Sequence, residues 1–248
     1  MRPGEYAAMY QVEDWHWWYV GMRRVADALL RRCFNGRAGA LDILDAGCGT
    51  GGNSAHLRAY GRVFGIDVAD EALCYARRRP DLGLARGSVE YLPFRDASFD
   101  LVVSNDVVCH RSVADDRRAV AEFARVLRPG GVVYLQLPAF DRLRSHHDVA
   151  VQTAHRYTRR EVERLLDAAG LRVRRTTYVN ALLFPAAAAW RMAHKTVRPD
   201  AVERSDVRPV SRPLNAALRL ALSLEAPVVR VGDLPFGLSV VGVAEKTP

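Results

Sequence analysis

Lysine is nearly absent from this chain. Of its 36 basic residues, only Lys195 and Lys246 are lysines, and the rest are arginine. The sequence also lacks any run of about 18 apolar residues, so no membrane-spanning helix is expected. Its first residues hold no apolar signal core: Trp15-His16-Trp17-Trp18 is too short and too polar at its flanks. Cys33, Cys48, Cys74 and Cys109 show no CxxC or other ligand spacing. That argues against a disulfide framework or a zinc cluster, and the expected setting is a cytoplasm that keeps the thiols reduced. Repeats and low-complexity tracts are missing as well. The net charge of +8 and pI of 9.7 invite a nucleic-acid reading. There is no long basic tail, however, and the arginines are scattered in pairs such as 23–24, 31–32 and 174–175. Solvated helix faces and helix ends account for them, and no nucleic-acid partner is expected.

What is present is the balance of an ordinary globular protein, 49% hydrophobic and 26% charged over 248 residues. The stretch Leu41-Asp42-Ile43-Leu44-Asp45-Ala46-Gly47-Cys48-Gly49-Thr50-Gly51-Gly52 organises the rest. An apolar run ends in an acid, glycines follow at every second position, and a helical pattern begins at once. This spells a strand, a tight turn open to close ligand approach, and a helix start. A second strand ends at Asp67, where an acid can accept hydrogen bonds from ribose hydroxyls. Further strands are predicted near 82–87, over 99–106 and over 132–137. Helices are predicted over 52–60, 70–79 and 115–127. This alternation predicts an α/β fold with a doubly wound, parallel sheet and ligand sites at the strand C-termini.

Residues 1–36 read as an N-terminal lid and helix. Tyr6, Tyr10, Trp15, Trp17, Trp18 and Tyr19 crowd there. They either pin the helix or cover a flat or cationic ligand, with Trp18 facing it. Residues 37–180 form the core and 181–236 a helical elaboration, serving as a cap or a dimer surface. Residues 237–248 supply a final edge strand.

Several motifs in order carry a resemblance: Asp-x-Gly-x-Gly-x-Gly at 45–51, Gly-Ile-Asp at 65–67, Gly-Ser-Val-Glu-Tyr-Leu-Pro-Phe at 87–94, Ser-Phe-Asp-Leu-Val at 98–102 and Val-Leu-Arg-Pro-Gly-Gly at 126–131. Together they resemble class I S-adenosylmethionine-dependent methyltransferases of the type-11 domain, which implies a Rossmann-like sheet of seven mostly parallel strands with an antiparallel pair at one edge. The resemblance implies S-adenosyl-L-methionine as cofactor and S-adenosyl-L-homocysteine as product. It places the methionine part on Asp45, Gly47, Gly49 and Gly51, the ribose on Asp67 and the adenine on Val68. Ser88 and Val89 fall in the adenine-edge loop, Asn105 borders the sulfonium, and Arg23 takes the cofactor carboxylate. Where many relatives carry aspartate, this chain has Ser88. Where relatives commonly have Glu-His, it has Cys109-His110.

Residues 138–157 leave the fifth strand above the sheet, where an acceptor would lie. His147 and Tyr157 are the expected acceptor-facing groups, with His110 opposite, either as a base or as a pocket wall. His146, His147, Asp148 and His155 are metal ligands by type, but no spacing fixes them, and no metal is expected. The resulting expectation is methyl transfer to an oxygen, nitrogen or carbon of a small molecule, in bacterial secondary metabolism, with a homodimer possible. The alternatives are a nucleic-acid or protein methyltransferase, or a cofactor-binding homologue with other chemistry or none.

Overall fold

The structure is a computed structural model that describes residues 4–34, 39–197 and 209–247. Helices α1 (Glu5–Val12) and α2 (Trp17–Leu30) precede strand β1 (Leu41–Ala46). Then come α3 (Gly52–Leu57), β2 (Gly61–Asp67), α4 (Asp70–Ala76), β3 (Gly83–Arg86), β4 (Phe99–Asn105), α5 (Asp116–Val126) and β5 (Leu127–Pro138). The remaining elements are α6 (His146–Ala150), α7 (Arg159–Ala168), β6 (Leu171–Val179), α8 (Phe184–Val197), α9 (Arg212–Ser223), α10 (Glu225–Val231) and β7 (Ser239–Lys246). The seven strands form one sheet in the order β3-β2-β1-β4-β5-β7-β6. The first five are parallel, and β7 runs antiparallel to both neighbours. The order reverses between β1 and β4, and their C-terminal ends open the crevice in which such sheets bind ligands.

Strand residues alternate between two buried layers, as a sheet covered on both faces requires. Leu44, Val102, Val133 and Leu135 face α5 and α7, meeting Val120, Phe123, Val162 and Leu166. Ile43, Leu101, Val103 and Tyr134 face the other way, toward Val25 and Leu29 of α2. Leu222 of α9 and Val229 of α10 join that second layer. Gly21 lets α2 and α9 approach closely, since a Cβ there would lie 2.6 Å from Leu222.

Two expectations are corrected. The antiparallel pairing does sit at this edge of the sheet, but the last strand is not outermost. β7 is buried along most of its length, and β6 takes the edge. The reason lies in β6 itself: Arg172, Arg174 and Arg175 reach Glu245 and Asp233 there, charges that suit a sheet border. Residues 181–236 likewise do not form a single cap. Among the described residues of that stretch, α8 alone lines the cavity at the C-terminal ends of the strands, because Leu222 of α9 and Val229 of α10 are turned inward against α2.

A capping box opens α7 at Thr158. Thr158 accepts the Glu161 N–H, and the Glu161 carboxylate accepts the Thr158 N–H at 2.7 Å. This fixes the point at which the chain leaves the site and enters α7. Helices α1, α6 and α10 have no counterpart in the sequence reading; the aromatic segment taken as a lid is α1 plus the first turn of α2.

Candidate active site

The glycine loop closes β1 onto β2. Gly47, Gly49 and Gly51 all have positive φ, at 90°, 54° and 83°. At Gly47 no side chain fits: a Cβ would stand 2.2 Å from Val107, which follows β4. The loop and the end of β4 are therefore in direct contact. Asp45 is buried beneath the loop, and Ser54 Oγ donates to its Oδ2 at 2.6 Å. Burial pushes this carboxyl up to about 6, against the pull of the Ser54 hydrogen bond. Asp67 ties the loop to β2. Its Oδ2 accepts the Gly49 N–H at 3.0 Å and its Oδ1 the Ala69 N–H at 2.9 Å. Burial raises its pKa above the ordinary aspartate value, while those N–H donors oppose the rise.

The N-terminal helices close over this loop. Glu13, at the end of α1, is 3% exposed. Its Oε1 accepts Thr50 Oγ at 2.6 Å and Arg79 Nη2 at 2.7 Å, so one carboxylate joins lid, loop and the turn after α4. Arg23 of α2 lies beside it; a Cβ on Gly52 would meet both Glu13 and Arg23. Burial lowers the Arg23 pKa, and Glu13 counters that. His16, 2% exposed, caps α2, and its ring accepts the Trp18 N–H at 3.4 Å.

From Gly49 and Asp67 a cavity of about 620 Å³ runs under the lid to His147 and Arg156. That volume suits a small ligand. Its distal end is polar. Asp106, at φ 56°, sits at the end of β4, and Gln136 Nε2 donates to its Oδ2 at 3.0 Å. Its Oδ1 is buried without a partner. Burial pushes the Asp106 carboxyl up to about 6. Arg156 and Asp148 form a buried pair at 2.7 Å, with exposures of 3% and 1%. Asn53 Nδ2, Asn105 Oδ1 and Asn180 Oδ1 are also buried and unpartnered, and their residues line the same cavity. Buried polar atoms are normally satisfied, so four such atoms around one space are the mark of a polar ligand.

The cavity gathers most of the residues read from the sequence. Trp18, Arg23, Asp45, Gly47, Gly49, Asp67, Val68, Asn105, His110 and His147 line it. Gly51 turns the chain into α3 instead. Ser88 and Val89 are not in the wall, and Val89 is packed in the core. Tyr157 is a correction: its ring is in the core and its hydroxyl donates to Asp116 at 2.9 Å, away from the cavity. His110 stands in the wall, but its Nδ1 accepts the Ser112 N–H at 3.1 Å. The neutral ring therefore carries its proton on Nε2 and presents a donor. Burial lowers its pKa to about 4, so it stays neutral near pH 7. His155 turns to Asp141 and Glu161, and among the described residues no group of acids, histidines and cysteines could hold a metal. Asp106 was missed. Its signal was an acid beside Asn105 at a strand end, which in sequence is indistinguishable from a loop acid.

An open α/β sheet with a glycine loop after β1, an acid at the end of β2 and a partly covered cavity over the switch point defines a nucleotide-cofactor enzyme domain. Residues 44–135 match the family model described as a methyltransferase domain. These residues carry a methyltransferase domain. It is 33% identical over 165 residues to a protein of Mycolicibacterium smegmatis named a probable S-adenosylmethionine-dependent methyltransferase, covering 65% of this chain and 62% of that one. It is 40% identical over 123 residues to the malonyl-[acyl-carrier protein] O-methyltransferase of Enterobacter lignolyticus, covering 49% of this chain and 47% of that one. The chain thus spans less than two thirds of each of these relatives. Its fold resembles that of a methyltransferase solved with the Haloferax volcanii Trm112 methyltransferase activator, with a TM-score of 0.62, 22% identity, and coverage of 99% of this chain and 95% of that one. The donor set fits the family's cofactor: Asp67 suits vicinal hydroxyls, Arg23 a carboxylate and Asp45 an ammonium group.

Proposed function

We propose that this protein transfers the methyl group of S-adenosylmethionine to an oxygen, nitrogen or carbon of a small molecule, in bacterial secondary metabolism. The observation that carries the reading is the partly covered cavity leading from Asp67 to the Asp106–Gln136–Arg156 end. A folded nucleic acid or protein would need an open groove there.

The cofactor supplies an already activated methyl on a sulfonium, and the protein's task is alignment. Asp67 would hold the ribose hydroxyls, Val68 and the lid aromatics would flank the base, and Arg23 would take the carboxylate. The glycine loop, pinned by Val107 and Asp67, fixes the methionine part against the end of β4. Alignment of this kind contributes up to about 7–11 kcal/mol. His110 donates from Nε2 to orient the acceptor. Asp106 receives the acceptor proton at Oδ1 where the nucleophile carries one. Trp18 and Tyr19 of the lid and Trp190 of α8 line the cavity and narrow its opening.

The test is label transfer. The protein is incubated with methyl-labelled S-adenosylmethionine and separate small-molecule, RNA and protein fractions of a bacterial extract. Label in the small-molecule fraction supports the reading. Label confined to RNA or protein overturns it. Cofactor binding with no demethylated product in any fraction favours a homologue with other chemistry.

A further inference from the structure

Helices α9 and α10 bury one side and leave the other apolar. Inward, Leu222 and Val229 complete the layer under α2. Outward, Leu214 is 49% exposed, Leu220 61%, Leu224 54%, Val228 44% and Val231 88%. From Leu220 to Val231 these residues recur at steps of four, four and three. Leu224 keeps α-helical angles between the two helices, so the stripe is continuous. Single exposed apolar residues are ordinary, but a stripe of this length is not.

Its margins are cationic. Arg212, Arg219 and Arg230 stand on the two helices themselves. From α2, Arg24 Nη1 reaches Ser223 Oγ at 2.8 Å, and Arg32 Nη1 reaches the Arg230 carbonyl at 2.6 Å. Among the described residues 209–232 the one acid, Glu225, is buried and accepts the N–H groups of Asn180 and Leu182. Asp233, just beyond, is paired with Arg175 and Arg159.

We propose that the α9–α10 face docks the protein on an anionic phospholipid surface, with the Leu/Val stripe in the headgroup–acyl boundary and the arginines on lipid phosphates. Amphipathic helices with a basic margin bind membranes in this way. The same charges disfavour a second copy as the occupant. A two-fold contact sets a patch against itself, here arginine margin against arginine margin, in a chain of net charge +8. The membrane answers both halves of the surface.

The test is co-sedimentation of the full chain with vesicles of phosphatidylcholine and phosphatidylglycerol in equal parts, and with phosphatidylcholine alone. Binding is expected only to the anionic vesicles and should fall as salt rises. V231E and L220E, both at exposed positions, should each weaken it by about tenfold or more. R219Q should weaken it by about fivefold. Thermal melting identical to wild type shows that these variants fold. Three results each overturn the proposal: no sedimentation with anionic vesicles at low salt, equal binding to neutral vesicles, or a dimer in solution that V231E converts to monomer.

Discussion

The side chain of Asn215 on α9 brackets the start of α2: its Oδ1 accepts the Trp17 N–H at 2.8 Å, and its Nδ2 donates to the Trp15 carbonyl at 3.1 Å. Asn215 is 8% exposed, so this pair of bonds is shielded from water. A helix start leaves N–H groups without partners, and here a residue 198 positions away supplies one. The late helices therefore hold the lid in place from beneath rather than covering the acceptor.

Replacing Asn215 by alanine should release the lid. Two buried bonds vanish and leave a donor and an acceptor unsatisfied, which costs about 1–3 kcal/mol for each group. Hydrogen exchange in residues 5–22 should speed up in the variant, while exchange in β1 and β4 stays as in the wild type. Added S-adenosylmethionine should slow the same segment in both proteins, because opening becomes costlier when a ligand lies beneath. Exchange unaltered by N215A would show that Glu13 alone pins the lid.

Asp67 makes a second prediction. It has two tasks, bracing Gly49 and Ala69 and meeting the ribose. D67A should weaken binding of both S-adenosylmethionine and S-adenosylhomocysteine in calorimetry, since charge-assisted bonds contribute about 1.5–3 kcal/mol each. D67N keeps the shape and can still accept from Gly49, so it should melt closer to wild type yet still bind weakly. Wild-type affinity in D67A would remove the ribose role.

The cofactor half of the site was legible in the sequence because its demands fall on the backbone. Glycines at 47, 49 and 51 are needed wherever φ is positive or Val107 approaches, and an acid at a strand end is visible as such. The acceptor half was not, because its character comes from partners far along the chain. Tyr157 lies in the expected segment, yet Asp116, 41 residues away, draws its hydroxyl into the core. Asp106 becomes unusual only when Gln136, 30 residues on, takes one oxygen and burial leaves the other alone. The position of β7 was equally hidden: either of the last two strands could border the sheet until the arginines of β6 are seen at the edge.

The Arg156–Asp148 pair gives a third prediction. Arg156 also donates from Nε to the Ala139 carbonyl at 2.9 Å, and Asp148 accepts the Ser145 N–H at 2.8 Å. Together they fasten α6 to the end of β5. Burial works against the Asp148 charge, but Arg156 prevails and holds its pKa below the ordinary value. R156M would strand that carboxylate and should cost about 3–5 kcal/mol in urea unfolding. R156M/D148N, with no charge left to bury, should recover part of the loss. Equal stability of the single and double variants would mean that water reaches Asp148.

The last prediction concerns Asp106, whose proton follows from its surroundings. Gln136 satisfies Oδ2, Oδ1 is buried without a partner, and burial lifts the pKa from 3.8 to about 6. The sign follows from linkage. Between these values the folded protein keeps the proton and the unfolded chain has lost it. The contribution of Asp106 to stability is therefore greatest in acid and is lost as pH rises from about 4 through about 6. Asp45, also raised to about 6, adds a slope of the same sign. D106N removes one of the two, so urea unfolding of the variant should lose less stability than wild type across that window. The variant should also be the more stable of the two at neutral pH, since it no longer buries a charge. The ionised form that could take a proton from an acceptor is present only above about pH 6, so methyl transfer to a protic acceptor should rise through that pH in the wild type and not in D106N. Loss of a general base typically costs about 10²–10⁴ in rate. Cofactor affinity in D106N should stay near wild type, because Asn105 and the glycine loop are untouched. Stability curves for the two proteins that run parallel from about pH 4 to 7 would show that Asp106 titrates like an ordinary surface acid, and its role as proton acceptor would fall with that result.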